Sequence, residues 1–163
     1  INDGFNTGSD CLYSGTVAGA LEGIFAGIPS MAVSMESMAD GTLLRETAAF
    51  AADLVSGYFM KKRYIGILNV NIPKIKPEKV SWENVKVARL GLLRYSNVIA
   101  GKRTKADEME FIMRGKPLER YEPETDVYWS RKGYITITPL QWNQTDFENL
   151  REVGKLTAAF IDA

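Results

Sequence analysis

Between Ile1 and Val17 the chain reads INDGFNTGSDCLYSGTV, and its chemistry-bearing side chains gather there. Asn2 and Asn6 stand four apart. Each offers a carbonyl oxygen suited to a hard cation and an amide N–H suited to a phosphate oxygen. Ser14, Gly15 and Thr16 follow, where the pattern predicts a helix to begin. The first N–H groups of a helix have no partner within it, and the helix dipole favours negative charge there, so such a start can hold an anion. Gly15 would let a phosphate come close, and Ser14 and Thr16 add hydroxyls. The same residues also read as plain structure, Ser14 as an N-cap and the asparagines as turn formers beside Gly4, Gly8, Ser9 and Asp10. Pattern alone leaves both readings open. The loop matches neither the GxxxxGK[ST] phosphate loop nor a dinucleotide fingerprint, and no strand is visible before it.

Composition removes other chemistries. The chain of 163 residues has no histidine and one cysteine, Cys11, so it can build neither a Cys–His pair nor a Ser–His–Asp triad, and no Cys/His zinc site. Cys11 reads as a small apolar residue, and a single cysteine rules out an internal disulfide, which fits a cytoplasmic protein. Twenty Lys plus Arg balance twenty Asp plus Glu, which argues against a general binder of nucleic acid or anionic membrane. The start lacks the basic and apolar runs of a secretory leader, and the apolar stretch 17–33 is broken by Glu22 and Pro29, so no membrane span is expected.

These residues need a scaffold. Helical spacing of Val17, Leu21, Ile24 and Ile28 predicts a helix from near Ser14, with Gly15, Gly19, Gly23 and Gly27 on another face. Glycines inside a helix are costly, so they predict close packing there. Gly27 and Pro29 end this helix, and a buried strand is expected over 30–34, half of a parallel βαβ unit. Asp40 or Thr42 caps a second helix with an apolar stripe of Leu44, Ala48, Ala51, Val55 and Phe59. Lys61, Lys62 and Arg63 suit its C-terminal end, with a phosphate patch as the alternative. ILNVNIP reads as a strand with Leu68, Val70 and Ile72 on one face and Asn69 and Asn71 on the other. ENVKVARLG and EMEFIMRG alternate around a turn-like 101–107, predicting a hairpin over 85–115. GYITITP is a strand, and Thr145 caps a last helix with an apolar edge of Phe147, Leu150, Val153 and Leu156.

The run IN-x-G-x-N-x-G-x-D-x-x-YSGTV-x-x-A-x-EG-x-x-x-G-IPS-x-A-x-S, over 1–34, resembles the SurE family, the survival-protein nucleotidases. LNVNIP, ARLG and TDVYWSRKGYITITPL with its QTD continuation extend the resemblance along the chain. It implies one SurE-like domain over 1–163. An α/β core, Rossmann-like with a parallel sheet, holds 1–73, an extended hairpin 85–115, and a C-terminal exchange helix 145–163. The implied activity is hydrolysis of nucleoside 5'- or 3'-monophosphates, with some action on short polyphosphate. The implied cofactor is a divalent ion, Mg or Mn, held by two adjacent aspartates, a serine and an asparagine. The asparagine lines up with Asn2, while Asn6, Ser14, Gly15 and Thr16 line up with phosphate-binding positions. Homodimers with C-terminal exchange, or homotetramers through the hairpin, are implied as well.

The family's two metal aspartates come from an upstream NDDG motif that these 163 residues lack, and a family aspartate is also the usual general base. Asp3 falls at a variable position and is not taken as a ligand. The chain is therefore expected to be the C-terminal portion of such a protein, with no catalytic residue of its own and no hydrolysis by itself. The alternative function is a non-catalytic phosphate- or nucleotide-binding module.

Overall fold

A computed structural model describes residues 1–96, 99–105, 108–113, 115–118 and 121–161. In chain order, β1 (Asn2–Asp3) leads through a 3-10 helix (Gly8–Tyr13) into α1 (Gly15–Phe25), β2 (Ser30–Met35), α2 (Gly41–Leu54) and β3 (Ile67–Ile72). Then follow β4 (Val85–Val87), the short strand β5 (Tyr95–Ser96), β6 (Ile99–Lys105), β7 (Glu108–Met113) and β8 (Lys116–Pro117). The chain closes with α3 (Asp126–Arg131), β9 (Ile135–Leu140) and α4 (Phe147–Ile161). The main sheet has the order β1-β2-β3-β9-β4. Its pairs are parallel except β3 with β9, giving the α/β architecture expected from the sequence.

Every residue of β3 is buried, because both faces of this central strand are covered. One face is apolar: Leu68, Val70 and Ile72 join Met35, Ile135 and Ile137 and pack on Leu43, Phe50 and Leu54 of α2. The opposite face changes character along the strands. At the start of β3, Ile67 and Ala32 pack on Val17 and Ala20 of α1. Toward its end the register aligns Asn2, Ser34, Asn71, Thr136 and Lys86 in one polar row across all five strands. Side chains in register share a face, so this row marks the end of the parallel strands where α/β sheets bind ligands.

Several elements depart from expectation. Asn2–Asp3 is a short strand rather than loop, parallel to Ser34–Met35. The buried stripe of α2 is Leu43, Thr47, Phe50 and Leu54, one residue out of phase with that predicted, and Ala48 and Val55 are exposed. Asp40 caps α2, its Oδ1 accepting from the N–H of Thr42 and of Leu43 at 2.8 and 3.1 Å, so Thr42 is not the cap. α2 continues into a π-helical turn, Val55–Lys61, and Lys61, Lys62 and Arg63 lie exposed at its end. The hairpin starts at Tyr95, not at residue 85: β6 pairs with β7, β5 with β8, and Val85–Val87 instead forms an edge of the main sheet. Gly101–Lys105 is strand rather than turn; 97, 98, 106, 107 and 114 of the predicted hairpin lie outside the described residues. Asp146, not Thr145, caps α4 by accepting from the Asn149 N–H at 3.0 Å, and 162 and 163 of the predicted exchange helix lie outside the described residues.

Candidate functional site

Three segments converge above the polar row: the turn after β1, the start of α1 and the end of β3. Gly4 adopts φ +102°, a conformation that favours glycine, and turns the chain out of β1. The amide of Asn2 is held by this turn, its Nδ2 donating to the carbonyls of Gly4 at 2.9 Å and Asp3 at 3.2 Å. That orientation leaves Oδ1 free to present to a cation. Asp3 is occupied otherwise, its Oδ1 accepting from the Met38 N–H at 2.9 Å.

Asn6 is clamped by the strand below it. Its N–H donates to Asn71 Oδ1 at 2.8 Å, and its carbonyl accepts from Asn69 Nδ2 at 2.7 Å and Asn71 Nδ2 at 3.1 Å. Its side-chain Nδ2 donates to Ser34 Oγ at 2.7 Å. Asn69, Asn71 and Ser34 are all fully buried, so these bonds form in a low-dielectric setting where they hold geometry strongly. Cys11 closes the cluster, its thiol donating to the Asn6 carbonyl at 3.2 Å. Burial above all, then the nearby Asp126 carboxylate, pushes the Cys11 pKa up to about 12, so the thiol stays protonated and is no nucleophile at neutral pH.

A second tie fixes the far end of the loop. Asp126, fully buried at the start of α3, accepts from the N–H groups of Gly8, Gly91 and Val127, each at 2.8 Å. Gly8 sits at φ +55°, and a Cβ there would lie 2.6 Å from the Gly91 carbonyl oxygen. Burial raises the Asp126 pKa against the three N–H donors, which act to lower it.

The loop delivers α1 in a defined orientation. Ser14 is its N-cap, with Oγ accepting from the Val17 N–H at 3.1 Å. The N–H groups of Gly15 and Thr16 are those left for an anion. Nothing lies within 4 Å of where a Gly15 Cβ would be. Asn2 and Thr16 line one cleft of about 330 Å³ together with Ile1 and Met31–Val33. Ser14 opens instead onto a separate cleft, on the β9 side of α1. Of the five residues singled out from the sequence, the fold thus brings Asn2 and Thr16 to one hollow, sets Gly15 at an open position, and seats Asn6 in the buried network.

A family model described as Survival protein SurE matches residues 1–97. The chain belongs to the SurE family. The 5'-nucleotidase SurE of Pelotomaculum thermopropionicum is 37% identical over 158 residues, covering 96% of this chain and 59% of that relative. The 5'-nucleotidase SurE of Syntrophomonas wolfei is 35% identical, covering 98% of this chain and 61% of the relative. The crystal structure of the SurE protein from Aquifex aeolicus superposes with a TM-score of 0.78 at 31% identity, over 96% of this chain and 63% of that one. The chain therefore spans about three fifths of the length of these SurE relatives.

The sequence reading of this candidate site missed Ser34, Asn69, Asn71 and Asp126. The asparagines of ILNVNIP carried a signal, since polar residues alternating on a strand that proves central must find partners inside the protein. Asp126 carried none: no helix was expected there, and two of its three N–H donors, Gly8 and Gly91, lie far away in the chain. Among the described residues no three His, Cys, Asp or Glu side chains come together as a metal site. Asn2 offers a single neutral oxygen, so the described donor set does not by itself fit a divalent ion.

Proposed function

We propose that the protein is a phosphomonoesterase that hydrolyses nucleoside 5'- or 3'-monophosphates to nucleoside and phosphate, with short polyphosphate as a secondary substrate. The observation that carries this reading is the convergence of Asn2 and Thr16 on one cleft at the N-terminus of α1, in a chain whose relatives are named 5'-nucleotidase. The Gly15 and Thr16 N–H groups and the Thr16 hydroxyl bind the phosphoryl oxygens and stabilise the charge that grows on them. The Asn71–Asn6–Ser34 network holds the preceding loop at fixed height above the sheet, so these donors need no reorganisation.

The proposal includes a divalent ion, Mg or Mn, with Asn2 Oδ1 as one ligand. Bound there, such an ion would polarise the phosphoryl group and acidify a water. Its other ligands must be anionic oxygens, and among the described residues no three His, Cys, Asp or Glu side chains group to supply them. These 163 residues alone are therefore expected to bind phosphate without hydrolysing esters, which is the second, non-catalytic reading of the same geometry. A dimer through α4, or a tetramer through the hairpin, belongs to the proposal too.

The test is a phosphate-release assay on the intact protein with adenosine monophosphate and Mn²⁺ or Mg²⁺. Activity should vanish with chelator. Thr16→Ala should lower kcat/KM about 10²-fold, as for loss of one oxyanion donor. Asn2→Ala should raise the metal concentration for half-maximal rate by about tenfold or more, as when a metal site loses a supporting group. Full activity in Thr16→Ala, or turnover that survives chelation, would sink this reading.

A further inference from the structure

We infer that the nucleoside half of the substrate lies in the second cleft, between α1 and the segment after β9; this rests on the nucleotidase reading above. That cleft, about 290 Å³, is walled by Leu12, Val17 and Leu21 on one side and by Leu90 and Leu140 on the other. Its rim carries three side-chain amides, Gln141, Asn143 and Gln144. An apolar slot edged by a few amides suits a nucleobase, whose faces are apolar and whose edges mix donors and acceptors. The Gln141 and Gln144 amides make no hydrogen bond within the described residues, while Asn143 Oδ1 accepts from the Thr145 N–H at 2.9 Å and leaves its Nδ2 to donate.

Two further observations give the cleft its role. Ser14 lines it, whereas Thr16 lines the Asn2 cleft, so the two neighbours of Gly15 face different hollows. Phosphoryl transfer proceeds in line, with nucleophile and leaving group on opposite sides of phosphorus. A phosphate over Gly15 attacked from the Asn2 side therefore expels its alcohol toward the Ser14 side. The cleft also shares Leu90, Leu140 and Gln141 as walls with a larger hollow of about 730 Å³. Thr138 lines that hollow, and its hydroxyl is buried with no partner. A buried hydroxyl without a partner is costly, and a base or ribose group reaching past Leu140 would satisfy it.

The test uses Ala18→Phe in the intact protein. Ala18 lines the cleft from an exposed helix position, so the larger ring fills the slot without entering the core. Two substrates are compared, adenosine monophosphate and p-nitrophenyl phosphate, the second having no base or sugar. The ratio of their kcat/KM values should fall at least about tenfold, within the range one pocket contact controls. Gln144→Ala should move the ratio in the same direction, and adenosine should lose potency as an inhibitor of p-nitrophenyl phosphate hydrolysis in both variants. An unchanged ratio would overturn the assignment of the cleft. If the unmodified protein hydrolyses neither ester, the nucleotidase reading fails, and calorimetry decides the cleft separately. Adenosine monophosphate binding lost in Ala18→Phe supports it, and binding retained overturns it.

Discussion

Thr47 sits fully buried among Leu43, Phe50 and Leu54 on the apolar side of α2, and its hydroxyl has no hydrogen-bond partner. Valine has nearly the same shape without that group. Thr47→Val should therefore stabilise the fold by about 1 kcal/mol, the scale of an unpartnered buried polar atom. For a chain of this size that raises Tm by about 2–4 °C, read by calorimetry. Asp126 is the opposite case, a buried acid with three N–H donors. Asp126→Asn must turn an NH₂ toward one of those donors, and the lost bond should cost about 1–3 kcal/mol. Because burial raises its pKa in the folded state, the folded protein binds the proton more tightly than the unfolded chain does. Its contribution to stability is thus full below the ordinary carboxylate pKa and is lost as pH rises through the raised one. Urea unfolding over a pH series should show that decline in the unmodified protein and its absence in Asp126→Asn. The same contrast explains what was legible residue by residue. Asn2, Asn6 and Thr16 announced themselves by spacing at a helix start. Asn69 and Asn71 read as an ordinary polar strand face, because nothing local says that β3 will be covered on both sides.

At the scale of elements, α1 separates the two uses of glycine. The glycine spacing predicts close packing along the whole stripe, yet a Cβ at Gly15 or Gly19 would meet nothing within 4 Å. Only Gly23 is packed, its Cβ position lying 2.0 Å from Ser30 Oγ, which donates to the Ile28 carbonyl at 2.8 Å. Gly19→Ala should accordingly stabilise the helix by about 1 kcal/mol. Gly23→Ala should forfeit that gain, since Ser30 must rotate and abandon its bond. Equal Tm increases in both variants would contradict this packing. The caps at Ser14 and Asp40 were legible because capping is local chemistry. The stripe of α2 was not, since its true buried face contains Thr47 and so looks less apolar than the neighbouring one through Ala48 and Val55. The start of the hairpin was hidden for a related reason. Val85–Val87 alternates like a hairpin strand yet pairs with β9, while 101–105 carries no apolar alternation to mark it as the strand that pairs with β7.

At the scale of the molecule, the α/β class followed from strands and helices alternating in the first half, but the sheet order did not. β9 enters between β3 and β4, a pairing across more than sixty residues of chain that no local pattern encodes. What the assembled fold leaves uncovered then points outward. Phe147, Leu150, Val153 and Leu156 recur at helical spacing along α4, and each is more than half exposed. Burying an aliphatic or aromatic side chain is worth about 1.5–3 kcal/mol, so four on one helix edge can drive association. In the proposed dimer this edge packs against the partner subunit. Leu150→Glu combined with Leu156→Glu places two charges in that contact and nothing in the core of the protomer, because neither side chain packs on the main sheet. Sedimentation velocity on the intact protein should show dimer in the unmodified form and monomer in the double variant, with the far-ultraviolet dichroism of the two matching. A double variant that sediments as the unmodified protein does would remove α4 from the interface. A monomeric unmodified protein would remove the dimer itself.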